Sequence, residues 1–134
     1  MRRAVAGGML GVALVAGATG CTPPGAVCPA IGWINTVIVD ASAFGEDVFV
    51  QLCVDAGCST EPGTPPTVSS DLGVPALAED DEFHVGMTTP EHATVRIYDA
   101  SGTLIRESEH DIAWVLSAEA CGGPATASPI TLTP

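Results

Sequence analysis

The chain has 134 residues, is 46% hydrophobic yet only 4% aromatic, and sets 16 acidic residues against 4 basic ones for a formal net charge of −12. So acidic a polypeptide cannot neutralise a phosphate backbone, which excludes nucleic acid as a partner, and its charge repels an anionic bilayer surface. Its five cysteines are many for so short a chain and point to an exported, disulfide-stapled domain.

Met1-Arg2-Arg3 gives a positive start, residues 4–18 are an uninterrupted run of Ala, Val, Leu, Met and Gly, and Thr19-Gly20-Cys21 closes it with small residues. The run falls short of the roughly 20 residues that cross a hydrocarbon core, so residues 1–20 read as a cleaved signal peptide and not as a membrane helix. Ala18-Thr19-Gly20-Cys21 resembles a bacterial lipobox, a resemblance that implies lipidation of Cys21 as the first residue of the mature protein. Ala18 stands where that pattern usually carries Leu, and ordinary cleavage after a small residue is the alternative. Cleavage removes Arg2 and Arg3, leaving Arg96 and Arg106 against 16 acidic residues, a charge of −14. Membrane attachment would then rest on acyl chains alone, each buried methylene contributing about 0.8 kcal/mol and at least two chains being required.

Residues 21–27 form a lipidated N-terminus and short Pro-rich tether, Thr22-Pro23-Pro24-Gly25-Ala26-Val27 following the cysteine. Seven steps from Cys21 to Cys28 span at most about 25 Å, so the domain would sit close to its membrane. The remainder, residues 28–134, has the size of one domain.

Strand patterns follow. Residues 33–40 centre on Val37-Ile38-Val39; residues 46–54 alternate, with Val48, Val50, Leu52 and Val54 on one face and Asp47, Phe49, Gln51 and Cys53 on the other. Phe83, Val85 and Met87 repeat the alternation and send His84 to the opposite face. Residues 93–98 and 103–107 flank Asp99-Ala100-Ser101-Gly102, a hairpin turn in which Gly supplies the positive φ. Residues 112–116 and 125–132 supply the last strands, and no sustained helical stripe exists. Residues 59–82 are the least regular region: Glu61-Pro62-Gly63-Thr64-Pro65-Pro66 excludes regular pairing, while Val68 and Leu77 suit a short strand. This loop is the place to look for a binding surface.

About seven short strands joined by Gly, Pro and Asp turns indicate an all-β fold, an antiparallel β-sandwich of immunoglobulin-like or transthyretin-like kind. Trp33 and Trp114 are expected to anchor its core, together with most of Phe44, Phe49, Phe83 and Tyr98.

With Cys21 set aside, four cysteines allow three connectivities. A two-residue turn at Asp55-Ala56 places Cys53 opposite Cys58 at bonding distance, whereas a three-residue loop using Gly57 would shift the register by one. The turn favours Cys53–Cys58, which leaves Cys28 to pair with Cys121 across nearly the whole domain.

Chemical motifs are few. The sequence holds no Gly-x-Ser-x-Gly elbow, His-Glu-x-x-His, calcium loop, phosphate-cradling loop or dinucleotide fingerprint, so no catalytic residue and no cofactor is expected. Alternate residues of a strand share a face, which makes Asp80, Glu82 and His84 the one candidate metal set.

The Val95-Arg96-Ile97-Tyr98-Asp99-Ala100-Ser101-Gly102 run, Trp33, Trp114, the Cys53 to Cys58 hairpin and Cys121-Gly122-Gly123-Pro124 together resemble small secreted actinobacterial lipoproteins without assigned biochemical function. The resemblance implies an extracytoplasmic β-sandwich and brings no catalytic residues. The sequence therefore reads as a non-enzymatic cell-envelope lipoprotein on the outer face of a bacterial membrane. Its partners would be the membrane, through the lipid, and an envelope protein or polysaccharide. Divalent-metal binding through Asp80, Glu82 and His84 is the alternative.

Overall fold

The computed structural model describes Gly25, residues 27–65 and residues 73–134. The expected signal peptide, Cys21, most of the expected tether and Val68 lie outside the described residues. The described residues form ten strands: β1 (Thr36–Asp40), β2 (Phe49–Val54), β3 (Gly57–Cys58), β4 (Ala76–Glu79), β5 (Glu82–His84), β6 (His92–Tyr98), β7 (Leu104–Asp111), β8 (Trp114–Val115), β9 (Thr126–Ala127) and β10 (Ile130–Thr131). One sheet runs β4-β5-β1-β9-β8 with β10 also on β1, and the other runs β3-β2-β6-β7. Among the described residues no helix is long and apolar enough to cross a membrane.

The two sheets enclose one core. Val37 and Val39 of β1, Phe83 of β5 and Val85 just beyond it meet Val50 and Leu52 of β2 and Ala93, Val95 and Ile97 of β6, with Ile112, Ile130 and Leu132 closing the ends. The alternation in the sequence is the cause: a strand with one face against a second sheet buries every other side chain. Each full burial of a Val, Leu, Ile or Phe contributes about 1.5–3 kcal/mol.

Several expectations shift in detail. The count is ten because one predicted strand divides and two short strands are added, β3 after the Cys53 hairpin turn and β4 around Leu77. Residues 125–132 break into β9 and β10 at Ser128-Pro129, where proline has no N–H to give the ladder. Thr126 pairs with Thr36 but Ile130 with Val39, so one extra residue is accommodated at the break. Both halves run parallel to β1, a departure from the all-antiparallel expectation, because this segment returns to the first sheet only after the chain has built the second. The strand at Phe83 ends at His84, and Met87, expected inward, is 54% exposed.

Both disulfides have the expected pairing. Cys53 faces Cys58 across the two-residue turn with Cα atoms 3.9 Å apart, in the register Cys53↔Cys58 and Val54↔Gly57. Cys28 meets Cys121 with Cα atoms 5.2 Å apart across 93 positions of sequence.

The aromatic expectation needs correction. Phe83 alone among the aromatics is fully buried. Trp114 is half-buried, packs against the core edge and donates its Nε1–H to the Pro90 carbonyl at 2.7 Å. Trp33 is also half-buried and stands outside the core cluster, against Gly122. Small aliphatic side chains fill the space between these short strands, and the larger rings are left at its margins.

Candidate functional site

Two open grooves and one cavity carry the surface chemistry. One groove and the cavity lie at opposite ends of β1, which begins beside the Cys28–Cys121 clasp and ends at Asp40, and the other groove lies on the second sheet.

At the far end, Val48, Phe49 and Leu77 floor a groove of about 730 Å³ edged by Glu46, Glu79 and Asp81. Its shape comes from local chemistry. Asp40 Oδ1 accepts the Ser42 N–H at 3.0 Å and starts the short 3-10 turn Ser42–Phe44, while the Asp81 carbonyl accepts the Val39 N–H at 2.9 Å and holds the β4–β5 turn in place. Hydrogen bonding from Ser42 lowers the Asp40 pKa. Desolvation, with Asp40 and Asp80 nearby, raises that of Asp81. An apolar floor with carboxylates at its edge suits an apolar group flanked by cations.

On the second sheet, a groove of about 620 Å³ runs past the Cys53 hairpin between His92, Glu109 and Asp111. The pairs His92↔Asp111 and Thr94↔Glu109 set these side chains in adjacent rows, and His92 Nδ1 lies 2.8 Å from Asp111 Oδ1. Both partners are well exposed, so this pair is a weak constraint. Next along β7, the Ser108 hydroxyl and His110 Nε2 are 2.8 Å apart. Among the described residues no carboxylate is hydrogen-bonded to His110, so the pair lacks the orienting third group of a nucleophilic triad. The pair also has a plain structural role. Arg106, Ser108 and His110 line the inward side of an edge strand, where polar side chains oppose pairing with another chain.

The candidate metal set is only partly assembled. Glu82 Oε1 and His84 Nε2 share a face and lie 3.4 Å apart, as an ion pair if the ring is protonated. Asp80 sits in the β4–β5 turn. Among the described residues no three His, Cys, Asp or Glu side chains form a group able to hold a metal ion.

Sequence reasoning missed two buried polar residues that organise these surfaces. Gln51, expected on an outer face, is 1% exposed: its Nε2 donates to the Ser59 carbonyl at 2.9 Å and its Oε1 accepts the Tyr98 hydroxyl at 3.0 Å. The Ser59 hydroxyl in turn accepts the Leu52 N–H at 3.0 Å, substituting for the carbonyl that Gln51 has captured. Asn35 is equally buried and joins three segments, donating from Nδ2 to the Thr88 carbonyl and accepting the Ala125 N–H at Oδ1. Gln51 alternates with Val50 and Leu52 and so reads as outward-facing by period, whereas Asn35 is in phase with the buried Val37 and Val39 and only its polarity argued against burial.

At the clasp end, Pro29, Ile31, Trp33, Glu119, Cys121 and Gly122 line a cavity of about 310 Å³. Of the irregular region 59–82, suggested as a binding surface, residues 59–65 and 73–82 are described, and its end from Leu77 to Asp81 lines the groove at Phe49. Comparison of the chain with protein-family models, curated proteins and solved structures finds no match in any of the three.

Proposed function

We propose that this protein is a lipid-anchored module of a bacterial cell envelope, displayed on the outer face of the membrane and acting by binding or scaffolding without catalysis. The observation that carries the reading is cysteine pairing. Cys28, Cys53, Cys58 and Cys121 bond to one another, which leaves Cys21 as the fifth, directly after a leader of export type. Disulfides persist in oxidising compartments, and a clasp that closes the whole domain favours folding there.

The anchored end and the open groove lie apart, which supports display. Cys28 enters beside the first residues of β1, and the groove at Phe49 lies beyond the last, roughly 17 Å away for a strand of this length. In this reading the groove faces the envelope and takes a segment of an envelope protein or polysaccharide, and the acidic surface keeps the domain soluble at high local density.

The test is expression of the full chain in an exporting bacterium fed a clickable fatty acid. The reading predicts label in the membrane fraction, lost on Cys21→Ala along with membrane retention. Unlabelled protein in the cytosol would refute it.

A further inference from the structure

We propose that the clasp end of the six-stranded sheet is a lipid-contacting face, with Val27, Ile31, Val115 and Leu116 seated in the interface of the membrane that holds Cys21. The inference rests on the anchoring just described and adds an orientation to it. These four are the most exposed large apolar side chains among the described residues, at 96%, 71%, 70% and 69%. Singly scattered apolar residues on a surface mean nothing; four gathered around one end do.

Their gathering follows from the covalent and steric structure. Val27 precedes Cys28, which is bonded to Cys121; the indole of Trp33 lies against Gly122; and Ser117, just after Leu116, lies against Gly123. Val115 also stands on the outer face of the sheet, in one row with Thr126, Thr36 and His84. The Cys121 to Gly123 loop thus ties the point where the tether enters to the segment that follows β8.

The tether names the occupant. Seven steps of chain separate Cys21 from Cys28, a reach of at most about 25 Å, so an acylated Cys21 holds this end of the domain against the bilayer. Apolar contact, and not charge, carries the docking: Glu119 lines the clasp cavity, and Glu91 and Asp111 lie beside the entry to β8, so the face suits a zwitterionic bilayer and not an anionic one. Burial of an apolar edge in the headgroup boundary, beside acyl chains, is the arrangement of a two-signal anchor.

The experiment uses the full chain, purified with its anchor and reconstituted in phosphatidylcholine vesicles containing lipid brominated near the headgroup. Trp114→Phe leaves Trp33 as the sole indole reporter; the unsubstituted chain serves as a second measurement should that variant fold poorly. Bromolipid should quench Trp33. Replacing Val115 and Leu116 together by Asp should lower interfacial occupancy about tenfold or more while the protein still floats with the vesicles. Full emission from a chain that does float overturns the proposal and leaves anchoring intact, including the case where cross-linking finds this edge against a second copy or another protein. A chain with no acyl mass that does not float overturns both.

Discussion

The Trp33 indole lies so close over Gly122 that a Cβ on residue 122 would come within 2.9 Å of ring carbon Cη2, and Gly122 itself adopts φ +75°. Glycine is required there twice over, for the left-handed backbone and for the approach of the ring. The contact locks the first described segment onto the Cys121 loop, beside the disulfide that joins them.

Gly122→Ala should therefore cost more than backbone strain alone. Gly45 gives the comparison, since it has φ +94° and open space around its would-be Cβ. Gly45→Ala should lose about 1–3 kcal/mol, the cost of a positive-φ backbone confined to glycine, and Gly122→Ala should lose more than that through crowding against the Trp33 ring. Urea unfolding measures both. Adding Trp33→Leu to Gly122→Ala should recover part of the difference, because the two residues touch.

Gln51 offers a second test. Its replacement by Ala leaves the buried Ser59 carbonyl without its donor and the Tyr98 hydroxyl without its acceptor, a loss of about 2–4 kcal/mol. Tyr98→Phe removes one hydrogen bond of the two and should cost about 0.5–1.5 kcal/mol. In a double-mutant cycle the two losses should be less than additive.

Two aspartates should give opposite responses to pH. The Ser101 hydroxyl, the Thr103 N–H and the Ser101 N–H donate to Asp99 and hold its carboxyl below the usual range. A folded pKa below the unfolded one contributes stability that is present above about pH 4 and lost as pH falls through the folded value. Asp99→Asn should lower Tm at pH 7, with the deficit shrinking on acidification. Asp81 is raised by desolvation and by Asp40 and Asp80, so the folded state holds its proton more tightly and stability falls as pH rises from about 4 through the raised value. Asp81→Asn should raise Tm at pH 7 and bring no gain below about pH 4. Melting curves between these limits distinguish the two signs.

The disulfides should contribute unequally. In the chain-entropy model, closing the loop between Cys28 and Cys121 is worth about 4.7 kcal/mol and closing that between Cys53 and Cys58 about 2 kcal/mol. Paired Cys→Ser substitutions compared by urea unfolding should preserve that order.

What the sequence disclosed was what short-range physics controls. Alternation at Val50 and Leu52, the Asp99 to Gly102 turn, and the two-residue hairpin between Cys53 and Cys58 depend on neighbours and appear where expected. Pro129 was a readable break in the last strand, yet its consequence, two halves parallel to β1, depended on where the chain had travelled in between. Burial on both faces of β2 was not readable, because part of the cover over Gln51 and Cys53 comes from Tyr98 and Arg96, more than 40 positions away. Trp33 misled for a related reason. Its size argues for a core, but the space between these sheets is filled by Val, Leu, Ile and Phe83, and the ring is placed by Gly122 instead.

The grooves were less legible than the fold. Asp80, Glu82 and His84 alternate along the sequence, but the β4–β5 turn takes Asp80 out of the strand and only the other two meet. Val48, Phe49 and Leu77 come together because β4 and the entry to β2 lie at the same end of different sheets, a juxtaposition that no local pattern encodes.

The most direct test of the central claim, export followed by acylation and oxidation, is the intact mass of the full-chain product purified from a native-like host, taken with and without thiol alkylation before reduction. The account predicts a chain beginning at Cys21, heavier by a diacylglyceryl group, with Cys28, Cys53, Cys58 and Cys121 all unreactive until reduced. A product that begins at Met1 and takes up alkylating agent at those four positions would contradict it.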